Sequence, residues 1–315
     1  MIRTLDIFCG VGGSSAGARD AGATIACGID ADPLAARSYL ANFPEAVVIT
    51  SKLENIGLSV LKERIGRIDL LLASPECTNH TCAKGAAPRN EASRATAMQA
   101  IRFARAFKPR WIVIENVVHM RPWLRYQELK DKLRGLGYFV REQVLDSSKF
   151  SVPQSRRRLF VVGDLNCDPQ LVEIDWLKPL KAAESILDKL GVWKTTYLYR
   201  EGRAQGTLDR ARRAMCALGD SRSFLIVYYG TDGGGGWQRL DRPLRTVTTL
   251  DRFALVTPTR NGHVMRMLQV EELKRAMGFR KSFLLSTGTR RERIRLLGNA
   301  VCPPVMKAVV TALTQ

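Results

Sequence analysis

Asp6-Ile-Phe-Cys-Gly-Val-Gly-Gly-Ser-Ser-Ala-Gly17 puts glycines where an apolar run, Thr4 to Cys9, turns sharply into an Ala-rich helical stretch. Glycine tolerates the positive φ of such a turn and lets a ligand approach the main-chain amides closely. The spacing reads GxGG rather than the dinucleotide GxGxxG, which fits a nucleoside cofactor without a pyrophosphate. About twenty residues on, Asp30 closes the next apolar run, where a carboxylate can accept hydrogen bonds from both ribose hydroxyls of an adenosine-type ligand. The same type of residue caps helices, so Asp30 or Asp32 can equally serve the helix that opens at Pro33.

Outward from this turn, short apolar runs alternate with helical patterns. Ala23 to Ile29, Pro33 to Asn42, Ile68 to Ala73, a helical segment from about Ala92 to Phe107 and Trp111 to Ile114 follow in order. That alternation predicts a doubly wound α/β sheet with buried parallel strands. Gly137 to Val144 and Leu159 to Val162 read as a hairpin at one sheet edge. From about Leu180 to Lys281 the pattern changes to longer loops with frequent Arg, and a Gly233 to Gly236 run follows the strand-like Phe224 to Tyr229. A second, smaller domain is expected there. The glycine run fits a loop that orders on a ligand or a plain flexible connection. Pro304 to Leu313 is a helix with apolar spacing suited to packing back on the sheet.

The 315 residues suffice for a sizeable core, and 49 Lys and Arg against 30 Asp and Glu leave a formal charge of +19. Such an excess self-repels without an anionic partner, and nucleic acid is the obvious one. No window approaches 18 uninterrupted apolar residues and MIRTLDIFCG lacks a signal-peptide layout, so an intracellular protein is expected. Seven cysteines, including Cys9, Cys27, Cys167, Cys216 and Cys302, lack paired zinc spacing, and His80, His119 and His263 are dispersed. Neither a disulfide framework nor a metal site is expected, His80 beside Cys77 and Cys82 being the nearest approach to one.

Ser74-Pro-Glu-Cys77-Thr-Asn-His80 follows the strand Leu70 to Ala73, on the carboxyl rim of the sheet where ligands bind in such folds. Cys77 can be a nucleophile there, or a buried inert thiol. Trp111-Ile-Val-Ile114 runs into Glu115-Asn116-Val117 on the same rim. Gln154-Ser-Arg156-Arg-Arg158 precedes the strand Leu159 to Val162, and Arg156 and Arg158 share one face of an extended segment.

On these residues the chain resembles the DNA cytosine-C5 methyltransferase family. DIFCGVGGSSAG, SPECTNHT, ENV, QSRRRLFVVG, RPLRTVTT from Arg242 to Thr249 and LGNAVCPPV from Leu297 to Val305 stand in family order over nearly the whole chain. The resemblance implies a Rossmann-like S-adenosylmethionine-dependent methyltransferase fold with a smaller, mixed, loop-rich target-recognition domain. Residues 1–178 would be catalytic and cofactor-binding, 179–284 target-recognising, and 285–315 a segment returning to the catalytic domain. It implies methyl transfer to C5 of a flipped-out cytosine in double-stranded DNA, S-adenosylhomocysteine being the product. Cys77 would add to C6. Glu115, its pKa raised by burial, would hydrogen-bond N3, Arg158 would orient Glu115 and the base carbonyl, and Arg156 would lie near the nucleophile and the sugar-phosphate. Phe8, Gly10, Gly12, Gly13, Asp30 and Asn299 match cofactor-contacting positions, with no metal needed. A bacterial or phage enzyme is implied, cytoplasmic and nucleoid-associated, with a cognate restriction endonuclease as a possible partner.

Two departures stand out. The usual Pro-Pro-Cys-Gln loop reads Pro75-Glu76-Cys77-Thr78, and Glu76 should raise the thiol pKa unless an arginine compensates. Ser51-Lys52-Leu53 stands where the family tends to carry an acid near the adenine amino group. Rival readings are a tRNA cytosine-C5 methyltransferase with the same catalytic residues and an inactive DNA-binding homologue. Arg203, Gln205 and Gln238 in the smaller domain are candidate groove readers.

Overall fold

A computed structural model describes residues 1–76, 90–229 and 235–315, apart from the side chains of 92 and 93. In chain order the larger unit contains β1 (Arg3–Ile7), α1 (Gly13–Asp20), β2 (Thr24–Asp30), α2 (Pro33–Asn42), β3 (Val47–Thr50), α3 (Leu58–Ile65), β4 (Leu70–Ala73), α4 (Glu91–Ala95), α5 (Gln99–Phe107), β5 (Trp111–Asn116), α6 (Tyr126–Gly135), β6 (Phe139–Asp146) and β7 (Arg157–Asp164). The strands form one sheet in the order β3-β2-β1-β4-β5-β7-β6. β1 to β5 run parallel, and β7 lies antiparallel between β5 and β6. The expected edge hairpin is therefore present.

Why these segments are strands is visible in β4 and β5. Leu70, Leu72 and Val113 point into the apolar layer on one face, while Leu71, Ala73, Ile112 and Ile114 point into the layer on the other. Both faces are covered, so an uninterrupted apolar run is the only pattern that satisfies them. α5 buries Ala100, Ile101, Phe103, Ala104 and Phe107 along one stripe. The helix expected over 92 to 107 is broken into α4, a tight 3-10 turn at Thr96–Met98 and α5. Because β2 and β4 flank β1 on opposite sides, the strand order reverses at β1/β4, and a crevice opens at the carboxyl ends of those strands.

A second sheet, ordered β10-β9-β11-β12-β8, is built from β8 (Thr196–Tyr197), β9 (Phe224–Val227), β10 (Trp237–Gln238), β11 (Phe253–Thr259) and β12 (Gly262–Met267). α7 (Gln205–Leu218) closes one face over Phe224, Ile226, Ala254 and Val256. Leu225, Val227, Phe253 and Leu255 on the other face join the core of the larger unit. α8 (Val270–Ala276) adds Leu273 and Ala276 to that same larger core, inside the 179–284 span assigned to the smaller domain. The domain boundaries remain a proposal.

The chain ends with α9 (Arg290–Asn299) and α10 (Pro303–Thr314), α10 packed along α1. Arg290–Thr314 is long and apolar enough to cross a membrane by composition, yet 67% of its most apolar window is buried, and Ala300–Cys302 interrupts it.

Candidate active site

A cavity of about 540 Å³ opens at the β1/β4 crevice, lined by Phe8, Gly10 and Asp30 at one end and by Glu76, Glu115 and Arg158 at the other. At the first end the chain leaves β1 through Phe8 (φ 56), Gly10 (φ 53) and Gly12 (φ 95). A non-glycine residue with positive φ costs about 1–3 kcal/mol and persists only where its surroundings enforce it. Here hydrogen bonds from Cys9 N to Ile29 O (3.1 Å) and from Gly12 N to Cys9 O (2.8 Å) do so.

Asp30 and Asp32 divide the two tasks open to them. Asp30 lines the cavity; its Oδ2 accepts from Gly10 N and its Oδ1 from Asp32 N, both at 2.8 Å. Burial pushes its carboxyl above the usual range while those two amides pull it down. Asp32 caps α2 by accepting from Leu34 N at 2.9 Å, and its other oxygen accepts from Arg295 Nη2 at 2.7 Å.

The glycines divide similarly. A Cβ on Gly10 would meet nothing within 4 Å, as a backbone open to a ligand requires. A Cβ on Gly12 would lie 2.4 Å from the Phe43 ring, and one on Gly13 2.2 Å from Val301 O. Among the described residues only Gly10 of the three lines the cavity; Gly12 and Gly13 are small so that α2 and the C-terminal segment can close on α1.

At the other end Glu115 closes β5, 6% exposed, with Arg158 Nε of β7 3.2 Å from its Oε1. β5 and β7 pair Glu115 with Phe160, so Arg158, two residues away on the same face, is its diagonal neighbour. Burial raises the Glu115 pKa, opposed by Arg158 and then Arg156. Cys302 lies close enough to feel both arginines and Glu115, and burial pushes its thiol up to about 11. Arg156 is 4% exposed: its Nη1 donates to Val247 O (2.9 Å), and its Nη2 to Gly298 O (2.7 Å) and Ala300 O (3.2 Å). It braces QSRRR against the two C-terminal motifs, and contact with the nucleophile or sugar-phosphate stays a proposal.

The stretch after β4 is anchored by Ser74 N to Ile7 O (3.3 Å), by Ser74 Oγ against Ser14 Oγ (3.2 Å) and by Asn116 Nδ2 donating to Pro75 O (3.2 Å). Cys77, His80 and Cys82 lie outside the described residues, as does part of the Gly233 to Gly236 run. Asn299, at the end of α9, lines the cavity with Arg295 one turn earlier, and Glu54 lines it just after the Ser51-Lys52-Leu53 departure. Sequence reading passed over Glu54 and Arg295. Arg295 was discoverable, since it stands four residues before Asn299 and such pairs share a helix face; no local pattern marks Glu54.

The groove-reader expectation is corrected for Gln238. It is buried, donates to Pro243 O and accepts from Arg245 N, so it holds its own loop. Arg203 donates to Leu198 O, Tyr197 O and Thr196 Oγ1, and Gln205 to Asp209.

The C-5 cytosine-specific DNA methylase family model matches residues 2–315. Type II methyltransferase M.HgiDI of Herpetosiphon aurantiacus is 26% identical over 318 residues, covering 95% of this chain and 90% of that protein. Type II methyltransferase M.AgeI of Thalassovita gelatinovora is 30% identical over 169 residues, covering 51% of this chain but only 39% of its own length. Among solved structures, Spodoptera frugiperda DNMT2 superposes with a TM-score of 0.72 at 18% identity, over all of both chains. At that identity the superposition speaks for the Rossmann-like methyltransferase fold, and the family follows from the match along the chain: this protein belongs to the C-5 cytosine-specific DNA methylase family.

Proposed function

We propose that the chain methylates C5 of a flipped-out cytosine in double-stranded DNA, through a covalent bond between Cys77 and C6. The observation that carries this is a single cavity joining a buried carboxyl-arginine pair, Glu115 and Arg158, to a nucleoside-type turn built on Gly10 and Asp30. Cytosine C5 is a poor nucleophile, and addition of a thiolate at C6 makes it enamine-like. As that C–S bond forms, negative charge moves toward N3. A carboxyl held protonated by burial can neutralise it, which is the direction in which Glu115 is shifted. Arg158 holds Glu115 in place and offers its remaining N–H groups to the base carbonyl. After transfer a base takes the C5 proton, the C6–S bond breaks and the Cys77 thiolate is restored.

S-adenosylmethionine fits the other end and would supply an electrophilic methyl group. Phe8 would pack on the adenine, Asp30 has lone pairs free for the ribose hydroxyls, and Asn299 stands beside them. Glu54 offers the acid that Ser51-Lys52 lacks. Since C6 is sheltered in a duplex, the target nucleotide must leave the stack, and the +19 chain would hold its phosphates while the β8 to β12 unit reads base edges. A bacterial or phage origin, a cytoplasmic, nucleoid-associated location and a cognate endonuclease belong to this same proposal, in line with the type II names of the relatives.

The test is transfer of labelled methyl to duplex DNA and to structured RNA at matched salt, because affinity for either polymer depends steeply on salt. Label in DNA cytosine supports the proposal. Label in RNA alone moves the substrate to RNA, and binding of DNA without transfer in a single turnover makes the chain a binding homologue.

A further inference from the structure

Arg295 enters the cofactor end of the cavity from α9, and the wall opposite it, at the β2–α2 turn, is acidic: Asp30 and Asp32 line the same space. Arg295 reaches that wall across 263 residues of sequence, its Nη2 donating to Asp32 Oδ2 at 2.7 Å. Asp32 carries the restraint inward. Its Oδ1 accepts from Leu34 N (2.9 Å) and its carbonyl oxygen from Ala36 N (3.0 Å), which seats it at the head of α2. Its own N–H donates to Asp30 Oδ1 at 2.8 Å, while Gly10 N donates to Asp30 Oδ2 at 2.8 Å. Two amides, one from the β1–α1 turn and one from the β2–α2 turn, therefore aim the Asp30 carboxylate. The second of them is tethered to the C-terminal helix by Arg295.

The charges act in the same sense as the geometry. Two carboxylates two residues apart repel each other, and the guanidinium that holds Asp32 offsets its charge beside Asp30. The ion pair itself is half-exposed, with side-chain exposures of 42% and 27%, so its contribution to stability is that of a surface pair. Its effect falls instead on ligand binding, where a small displacement of a positioning group is costly.

We propose that Arg295 is a positioning residue for the ribose of the cofactor: it acts through Asp32 on Asp30, so that the C-terminal helix helps to aim the carboxylate that holds the sugar. This rests on the methyltransferase reading, in which Asp30 binds the ribose hydroxyls. The test is titration calorimetry of S-adenosylhomocysteine, and of its 2′,3′-dideoxy analogue, on the full chain and on variants whose folding is checked by thermal melt. Arg295→Met weakens binding of S-adenosylhomocysteine about threefold to fivefold, the range open to a half-exposed ion pair. Binding of the analogue, which has no hydroxyls for Asp30 to hold, changes by less than about twofold. Asp32→Ser keeps a hydroxyl to cap α2 but gives Arg295 no carboxylate; it shows the same loss, and Arg295→Met adds nothing to it. In an Asp30→Asn background Arg295→Met costs less than about twofold. Unchanged affinity in Arg295→Met, equal losses for the two ligands, or a loss undiminished in the Asp30→Asn background each overturn the proposal and leave Arg295 as a fastening of α9 alone. A wild-type chain that binds neither ligand fails the methyltransferase reading itself, whereas one that binds S-adenosylhomocysteine with additive losses fails only this inference.

Discussion

Replacing Glu272 by Gln removes the charge at the point where the smaller sheet is fastened to the larger core. Glu272, on α8, is fully buried, and its carboxylate accepts from Arg266 Nη2 (2.6 Å) and Arg266 Nη1 (2.7 Å), from Gln269 N (2.7 Å) and from Asp188 N (2.8 Å). Arg266 lies on β12, the strand that leaves the second sheet, and Asp188 lies on the segment entering it, so one carboxylate clasps both connections. The amide in Glu272→Gln would retain a single acceptor oxygen and leave the 5% exposed Arg266 side chain uncompensated. Breaking a buried pair from one side costs about 3–5 kcal/mol, because the remaining charge is desolvated without a partner. In a thermal melt Glu272→Gln should lower Tm by roughly 5–10 °C. Adding Arg266→Met, which removes the stranded charge and keeps much of the volume, should recover most of that loss. A Glu272→Gln melt within about 2 °C of wild type, or a double variant no better than the single, would refute this reasoning.

The two kinds of glycine should separate experimentally. Gly13→Ala, whose Cβ meets Val301 O, should cost about 1–3 kcal/mol of stability in urea unfolding, whereas Gly10→Ala, with open space around it but a left-handed backbone (φ 53), should carry a similar strain of about 1–3 kcal/mol and in addition weaken S-adenosylmethionine binding in titration calorimetry. Asp30→Asn should lower that affinity by about tenfold to a hundredfold, since hydrogen bonds to a charged group contribute about 1.5–3 kcal/mol. Asp6 sets a pH dependence of stability: its folded pKa is raised from 3.8 to about 7, so the folded state holds the extra proton. Unfolding free energy relative to Asp6→Asn should therefore be highest below pH 4 and fall as pH rises to 7, as measured by urea titrations across that range.

Much of this architecture was legible because it is encoded locally. Asp32-Pro33 announces α2 through a capping carboxylate and a proline suited to the first helical turn, and the structure starts the helix there. Buried parallel strands must be apolar throughout, so β1, β2, β4 and β5 could be read as runs, and the β6/β7 hairpin as two runs at the sheet edge. Glu115 was legible as a carboxyl at the rim end of a recognisable strand and Arg158 as one of two arginines on a shared face before the next, while their pairing was implied by the family resemblance and is found in the structure. What could not be read depends on contacts between distant segments. Gly13 is a glycine because of Val301, Gln238 is buried because it secures Arg245, and Arg156 donates to the carbonyls of residues 247, 298 and 300; no local pattern records any of these. α4 and α5 merged in the reading because both sides of the Thr96–Met98 turn have helical composition.

The most direct test of the proposed chemistry is incubation of the purified chain with S-adenosylmethionine and duplex DNA containing 5-fluorocytosine, beside a Cys77→Ala control. Fluorine at C5 blocks the final elimination, so a covalent protein-DNA adduct that needs both Cys77 and the methyl donor is the expected result. Bound DNA and cofactor without an adduct, or an adduct that persists in Cys77→Ala, would contradict it.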